Sequence, residues 1–384
     1  MYHHSVRVRL GLALITVLGL LALAGCGSSS SSSSSSASGG GSSSTASTSS
    51  ASSASGSVDT SKCGTKPGVK ATGTPLNIGT IDQGYWKQLG VYEMGAGIAP
   101  ECWSTPNSAA VNMGPRYSSD GAVQYGLAQH PSKMVFVQSN VPGTGYIAAG
   151  PKALSDASHV PITELTENVP INDANSVALD LVNKAGSNGW VVLNFTPPEA
   201  LVILQAAQKL GLENRVKGWG CSTPCNTDFL SKALGPKWNH KLYVNAELTS
   251  ADDHNGPEMQ LYKAILAKYG KSVAGGLGSF SEMGYLLGKF SKDALLTVKG
   301  PYTIQSANAA FKAIKDEKTE LICQPWVYGD YPLHIPNNAD FTTTPDNGRM
   351  VTAQPCFNIS AADPQIAAYR KAAGTAPSTN PPTS

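Results

Sequence analysis

Charged side chains are scarce in this chain: 14% of its 384 residues are Asp, Glu, Lys or Arg, against the ~25% usual in globular domains. A net charge of +2 offers no basic surface for nucleic acid or for an anionic membrane face. Long apolar runs are also missing. The apolar stretch at residues 10–23 falls short of the ~20 residues that span hydrocarbon. The seven histidines are scattered, with no H-E-x-x-H and no paired cysteines joined to histidine, so neither a zinc site nor another metal site is expected. A G-x-S-x-G elbow for a nucleophilic serine is absent too. Cysteine is not scarce: seven residues are more than a cytosolic protein of this size needs, and point to an oxidising compartment.

At the amino end, Arg7 and Arg9 precede the apolar run and Leu23-Ala24-Gly25-Cys26 closes it. Charge and length make residues 1–26 a secretion signal. Its ending resembles the lipobox of bacterial lipoproteins, in which the cysteine, here Cys26, is lipidated and becomes the mature amino terminus. Residues 27–57 are almost entirely Ser, Gly, Ala and Thr, a composition that cannot bury enough apolar surface to offset ordering. Residues 27–74 therefore read as a flexible tether.

The clearest folding signal lies at residues 189–220. Residues 190–195 are apolar apart from Asn194 and of strand length, as in a central parallel strand buried on both faces. Thr196-Pro197-Pro198-Glu199 stops the strand, offers a hydroxyl cap and opens a helix. Leu201, Leu204, Ala207 and Leu210 recur at helical spacing, and residues 216–219 begin another strand. Such a β-α-β unit brings unpaired N–H groups to the carboxyl edge of its sheet, where a polar ligand can be met.

In chain order, residues 76–82 read as a first strand, residues 120–127 as a short helix, and residues 134–138, 160–165 and 242–248 as further strands. Asp173 caps a helix with Ala174, Val177, Ala178, Leu181 and Val182 on one face. Beyond Asp252-Asp253-His254, taken as a solvated crossover, three helices follow at residues 257–269, 281–296 and 306–316. Having no strands of their own, they are expected to cover the sheet begun at Leu76. The terminal segment reads as looped, with a last helix at residues 363–373. The expected organisation is a shortened first lobe over residues 75–130, a second α/β lobe over 131–249, a return to the first lobe over 250–320, a terminal segment over 321–375 returning to the second lobe, and a disordered tail over 376–384.

A lipobox, a serine-rich tether and a first lobe entered twice around a second α/β lobe together resemble an extracytoplasmic solute-binding protein of ABC transporters. The similarity is to the branched-chain amino acid and amide group, the Leu/Ile/Val-binding type. It is carried by MVFVQSNVPGTGY (residues 134–146), the helix capped by Asp173, PPEALVILQAAQKLGL (residues 197–212) and the helix at residues 281–296. The resemblance implies the two-lobed type I periplasmic-binding-protein fold, each lobe a parallel sheet flanked by helices, here with a truncated first lobe. It also implies a monomer without cofactor or catalytic residues, held to the outer face of the cell membrane by its lipid. Such a protein hands a small polar solute, of the amino-acid, amide or carboxylate class, to a transporter permease. The family's hydroxyl-bearing ligand loop falls at Trp103, Ser104 and Thr105. Its ligand-flanking aromatics fall at Thr144 and Pro197, with Tyr146 and Trp219 close by, and Thr196 adds a hydroxyl. The family's acid for an α-ammonium falls at Gly220, which argues for an amide or carboxylate in preference to a zwitterionic amino acid.

Two other classes compete. One is a sensory or interaction protein derived from such a receptor. The other is a dinucleotide enzyme built on Gly143-Thr144-Gly145-Tyr146-Ile147-Ala148, which matches G-x-G-x-x-A but is separated from its strand by Asn140-Val141-Pro142 and followed by Gly150-Pro151. Setting Cys26 aside, Cys63, Cys102, Cys221, Cys225, Cys323 and Cys356 allow fifteen pairings. Nearness favours Cys221–Cys225 and Cys323–Cys356, which leaves Cys63–Cys102, with free buried thiols as the alternative for Cys102 and Cys225. The anchoring expectation is tested by metabolic labelling with a clickable fatty acid. The wild-type protein should carry label and Cys26→Ala should not, and an unlabelled wild type would end the idea.

Overall fold

The computed structural model describes residues 114, 116–270, 276–314, 317–326, 335 and 337–373. The strand expected at residues 76–82, the shortening of the first lobe, and Cys26, Cys63, Cys102, Trp103, Ser104 and Thr105 lie outside the described residues.

One seven-stranded sheet organises the chain, in the order β2-β1-β3-β4-β5-β6-β7. The first five strands are β1 (Met134–Ser139), β2 (Ile162–Glu167), β3 (Trp190–Asn194), β4 (Gly218–Cys221) and β5 (Leu242–Ala246). All five run parallel. Helices α1 (Asp120–Ala128), α2 (Ala149–Ala157), α3 (Ala174–Ala185), α4 (Pro197–Lys209) and α5 (Asp228–Leu234) accompany them. Strands β1, β3, β4 and β5 are covered on both faces, while the edge strand β2 is partly exposed, and alternation along the covered strands divides their side chains between two cores. Val135, Val137, Val191, Leu193, Trp219 and Cys221 face α3, α4 and α5. Met134, Phe136, Trp190 and Val192 face α1 and α2.

Strand β4 explains its own glycines. Trp190 pairs in register with Gly218, and its indole lies across the face of β4. A Cβ at Gly218 would run into the Trp190 ring, and one at Gly220 would lie 3.3 Å from Trp190 Nε1 and 3.4 Å from the Ala122 methyl. Gly126 of α1 faces the same ring. The small residues on β4 and α1 are thus the two walls of a slot for one indole.

The terminal segment differs from its expected loop. β6 (Ala339–Asp346) and β7 (Arg349–Asn358) form an antiparallel hairpin that extends the sheet beside β5. Asn347 and Gly348 have φ of 52° and 79°, the positive pair that a two-residue hairpin turn requires. β6 is buried along nearly its whole length, including Thr342, Thr343 and Thr344, so the apolar-polar alternation that marks a strand never shows. Helix α9 (Pro364–Ala373) follows.

Helices α6 (Pro257–Tyr269), α7 (Ser279–Leu296) and α8 (Ile304–Lys312) build a separate core. Met259, Tyr262, Leu286, Phe290 and Phe311 pack there with Leu248, Leu321 and Trp326, and Phe290 stacks on Trp326 with ring centroids 4.1 Å apart. Two crossing segments tie this helical body to the sheet. Leu248 bridges Ile322 antiparallel, and Thr249 N–H donates to the Leu321 carbonyl at 2.9 Å. Disulfides join Cys221 to Cys225 and Cys323 to Cys356, the two pairs that nearness favours.

The slot around Trp190 yields a stability prediction. Gly218→Ala should cost about 1–3 kcal/mol, the usual penalty for overpacking a filled core, read as a lower denaturant midpoint. A loss below about 0.5 kcal/mol, the scale of a neutral surface change, would show that the indole has room to move.

Candidate functional site

In a parallel sheet, ligands meet the crevice at the carboxyl edge where strand order reverses. Here that point lies between β1, which leads outward to β2, and β3, which leads toward β4 and β5. The loop after β1 and the start of α4 flank it.

The loop after β1 folds back on itself. Thr144 N–H donates to the Val141 carbonyl at 3.2 Å. Thr144 Oγ1 lies 2.7 Å from that carbonyl and 3.1 Å from the Ser139 carbonyl. The Thr144 hydroxyl is therefore buried and committed to holding the turn, which fits neither a ligand contact nor a helix leading straight from β1 to cradle a dinucleotide. Tyr146 is partly buried, and its carbonyl accepts from Arg116 Nη1 at 3.3 Å.

Across the crevice, Thr196 is exposed at the N-cap of α4 and caps it by backbone alone: its side chain makes no capping bond, contrary to the hydroxyl cap that the sequence implies. Pro197 is buried and Pro198 follows it. Prolines donate no N–H, so of the first three helical residues only Glu199 offers one to a ligand. The Thr196 hydroxyl is correspondingly free to turn outward.

Two expected ligand contacts sit elsewhere. Trp219 is 0% exposed, turned to the α3–α5 face, edge-on to Trp238 at 5.6 Å, with its indole N–H donating to the Glu213 carbonyl at 3.3 Å. Gly220 lies inside β4 beneath Trp190 and Ala122. Neither reaches the edge, because the strand runs to Cys221 and the edge begins at Ser222. The argument that Gly220 leaves an ammonium without an acid therefore falls away. Acids that stand at this edge include Glu199 and Glu247.

The structure gathers at the edge a polar network that the sequence reading missed. The Ser118 and Ser119 hydroxyls lie 3.2 and 3.0 Å from Asn194 Oδ1. Thr223 N–H donates to the Ser118 carbonyl at 2.7 Å, its Oγ1 lies 3.0 Å from Glu247 Oε1, and it accepts from Asn245 Nδ2 at 2.7 Å. Asn245 Oδ1 in turn accepts from the Ala122 N–H. Asn226 works as a junction: its amide donates to the Leu248 carbonyl at 3.1 Å, its Oδ1 accepts from Thr343, and its carbonyl accepts from the Ser279 N–H at 3.1 Å. One buried asparagine thus links the β4 loop, the crossover, the hairpin and the first residue of α7.

Beneath α1 the network carries more acids than bases. Arg116 Nη2 meets both Asp363 carboxylate oxygens at 2.9 Å, while Asp120 and Asp340 are wholly buried. Burial, then the neighbouring Asp363, pushes the Asp120 carboxyl well above its usual range, Arg116 offsetting this in part. Burial, then Glu247 and Asp120, does the same for Asp340. No cluster of His, Cys, Asp and Glu among the described residues is arranged to hold a metal ion, and no helix among them is long and apolar enough to cross a membrane.

Neither a protein-family model nor a curated protein matches the sequence. Solved structures do resemble the fold. A branched-chain amino acid ABC transporter protein from Thermus thermophilus with bound valine aligns with TM-score 0.63 and 15% identity, over 75% of this chain and 76% of that one. A fatty acid ABC transporter substrate-binding protein from Thermomonospora curvata aligns with TM-score 0.59 and 14% identity, over 73% and 72%. A solute-binding protein from R. palustris in complex with benzoate aligns with TM-score 0.56 and 15% identity, over 71% and 74%. The fold is that of type I periplasmic binding proteins. Three of its structural neighbours are named for branched-chain amino acids or for leucine, isoleucine and valine.

The buried acids set a pH dependence. A carboxyl whose pKa is raised by folding keeps its proton in the native state after the unfolded chain has lost it, so stability falls as pH rises above about 4, by about 1.4 kcal/mol per unit per group, until the folded-state pKa is passed. Asp340→Asn removes one such group. The melting temperature of the variant, taken relative to the wild type, should move in the variant's favour between pH 5 and pH 8, and a difference that stays constant or moves toward the wild type would show that folding does not raise the Asp340 pKa.

Proposed function

We propose that this chain is an extracytoplasmic receptor that captures a small polar solute of the amino-acid, amide or carboxylate class and delivers it to the permease of an ABC transporter. Cys26 would hold it to the membrane by a lipid and residues 27–74 would serve as its leash. The observation that carries the reading is the placement of a helical body against the carboxyl edge of a parallel sheet, joined through the crossing segments at Leu248 and Ile322 and through Asn226 and Ser279. Paired crossing segments are where a two-lobed receptor bends to enclose its ligand. The neighbours with valine and benzoate bound support both the solute size and a carboxylate as its common group.

At the crevice, the exposed Thr196 hydroxyl and the Glu199 N–H supply donors for such a carboxylate or an amide carbonyl. Tyr146, which packs at the margin of the core facing α1 and α2, is proposed as a flat apolar contact, and Trp103, Ser104 and Thr105 are proposed for the opposing lobe. A thermal-shift panel of valine, leucine, acetamide, urea, propionate and benzoate tests the reading. A ligand that binds only the folded state stabilises it by about 2.7 kcal/mol at a hundred times its dissociation constant, so at least one compound should raise the melting temperature. Thr196→Val should then weaken that compound about tenfold, in line with loss of one hydrogen bond to a charged group. A panel without any shift at millimolar concentration would count against the receptor reading. A shift unaffected by Thr196→Val would move the site away from α4.

A further inference from the structure

The opposite edge of the sheet holds a feature that solute capture at the carboxyl edge does not use. A cavity of about 220 Å³ opens where β3, β4 and β5 begin, and its lining includes Trp190, Glu213, Lys217, Lys241, His240 and Tyr243. Glu213 is only 8% exposed, and its Oε2 has no hydrogen-bond partner. The residue is fixed in place, because its carbonyl holds the Trp219 indole N–H at 3.3 Å. Tyr243 forms a firm wall: its ring stacks on Tyr125 at 4.4 Å, and its hydroxyl donates to the His240 carbonyl at 2.9 Å. Lys217 is exposed, with Nζ 3.1 Å from the His130 carbonyl.

We propose that this cavity is a second small-molecule site, which takes a compact zwitterion carrying an ammonium at one end and a carboxylate at the other. The lining dictates that class. A buried carboxylate oxygen without a donor is a standing cost that a ligand N–H removes, so Glu213 calls for an ammonium. A simple amine would nevertheless meet Lys217 and Lys241 as like charges, and a simple anion would meet Glu213 as one. Only a ligand bearing both charges satisfies both sides, with its short apolar stem against Tyr243. The volume fits: an engineered cavity of about 150 Å³ holds benzene, so this one accepts a chain of about four carbons.

Isothermal titration with 4-aminobutyrate, n-butylamine and butyrate tests the proposal on the full-length protein, alongside the variants Glu213→Gln and Lys241→Met. Glu213→Gln keeps the side-chain shape and the carbonyl that holds Trp219, and Lys241→Met provides an independent probe should the first variant fold poorly. 4-Aminobutyrate should bind the wild type, each half-ligand should bind at least tenfold more weakly, and each variant should lose at least tenfold. The Trp190 indole N–H resonance should shift on binding, while resonances of residues 140–146 and 194–199 stay in place. Three results would overturn the proposal: no binding of 4-aminobutyrate at 10 mM, equal binding by wild type and both variants, or shifts confined to the carboxyl edge. The last would assign the compound to the proposed solute crevice, so failure of this site and failure of the receptor reading give different outcomes.

Discussion

The indole of Trp190 lies between β4 and α1, and the arrangement of the lobe follows from the room made for it. Gly218, Gly220 and Gly126 each give up a side chain to the ring, which brings α1 down onto the sheet. Because α1 runs from the carboxyl edge at Asp120 to the amino edge at Ala128, seating its far end on Trp190 fixes where its near end falls. Ser118, Ser119 and the Ala122 N–H are thereby delivered to Asn194, Thr223 and Asn245. A close-packed contact at one edge of the sheet thus sets the polar geometry at the other, as expected where interiors transmit displacement instead of absorbing it.

That polar geometry carries an electrostatic cost. Asp363 and Asp120 are buried around the Arg116 guanidinium, and Asp340 is buried close to Asp120 and Glu247. Low dielectric raises the cost of like charges at such sites, and burial with acidic neighbours pushes the Asp120 and Asp340 carboxyls well above their usual range. Replacing such a group with an apolar one often stabilises a protein. Their presence beside the junction made by Asn226 shows that this part of the lobe has polar groups where packing alone would favour apolar ones, and the junction is where the helical body joins the sheet.

The α/β lobe was largely legible in the sequence because its strands are buried on both faces, and continuous apolar runs such as residues 190–194 announce that without ambiguity. The helices at Asp173, Pro197 and Pro257 were legible from their starts, where a capping aspartate or a proline marks the first turn. The hairpin was not, although Asn347-Gly348 is a strong hairpin signal, because threonines fill the buried positions of β6 and Pro345 argues against a strand. The site was read less well than the fold. Period-two alternation places Trp219 and Gly220 on opposite faces of one strand, and a boundary shifted by two residues was enough to put both at the edge. The Ser118–Asn194–Thr223 network left no local mark at all, since its members are far apart in sequence and each resembles an ordinary loop residue.

The edge groups sort into two kinds by what already holds them. Thr144, Thr223, Asn226 and Asn245 have their hydrogen bonds made within the protein, so a solute gains little by approaching them and much by finding them already in place. Rigid placement before binding lowers the ordering cost that otherwise consumes affinity. Thr196 stands outside this network: it is exposed, its hydroxyl is not used as a cap, and two prolines after it withdraw the neighbouring N–H donors. In the proposed crevice, a solute arriving at α4 would meet one hydroxyl, one N–H and the Glu199 carboxylate. So few groups on a rigid floor favour a small ligand with one oxygen-bearing end, and leave discrimination among such ligands to whatever closes over them.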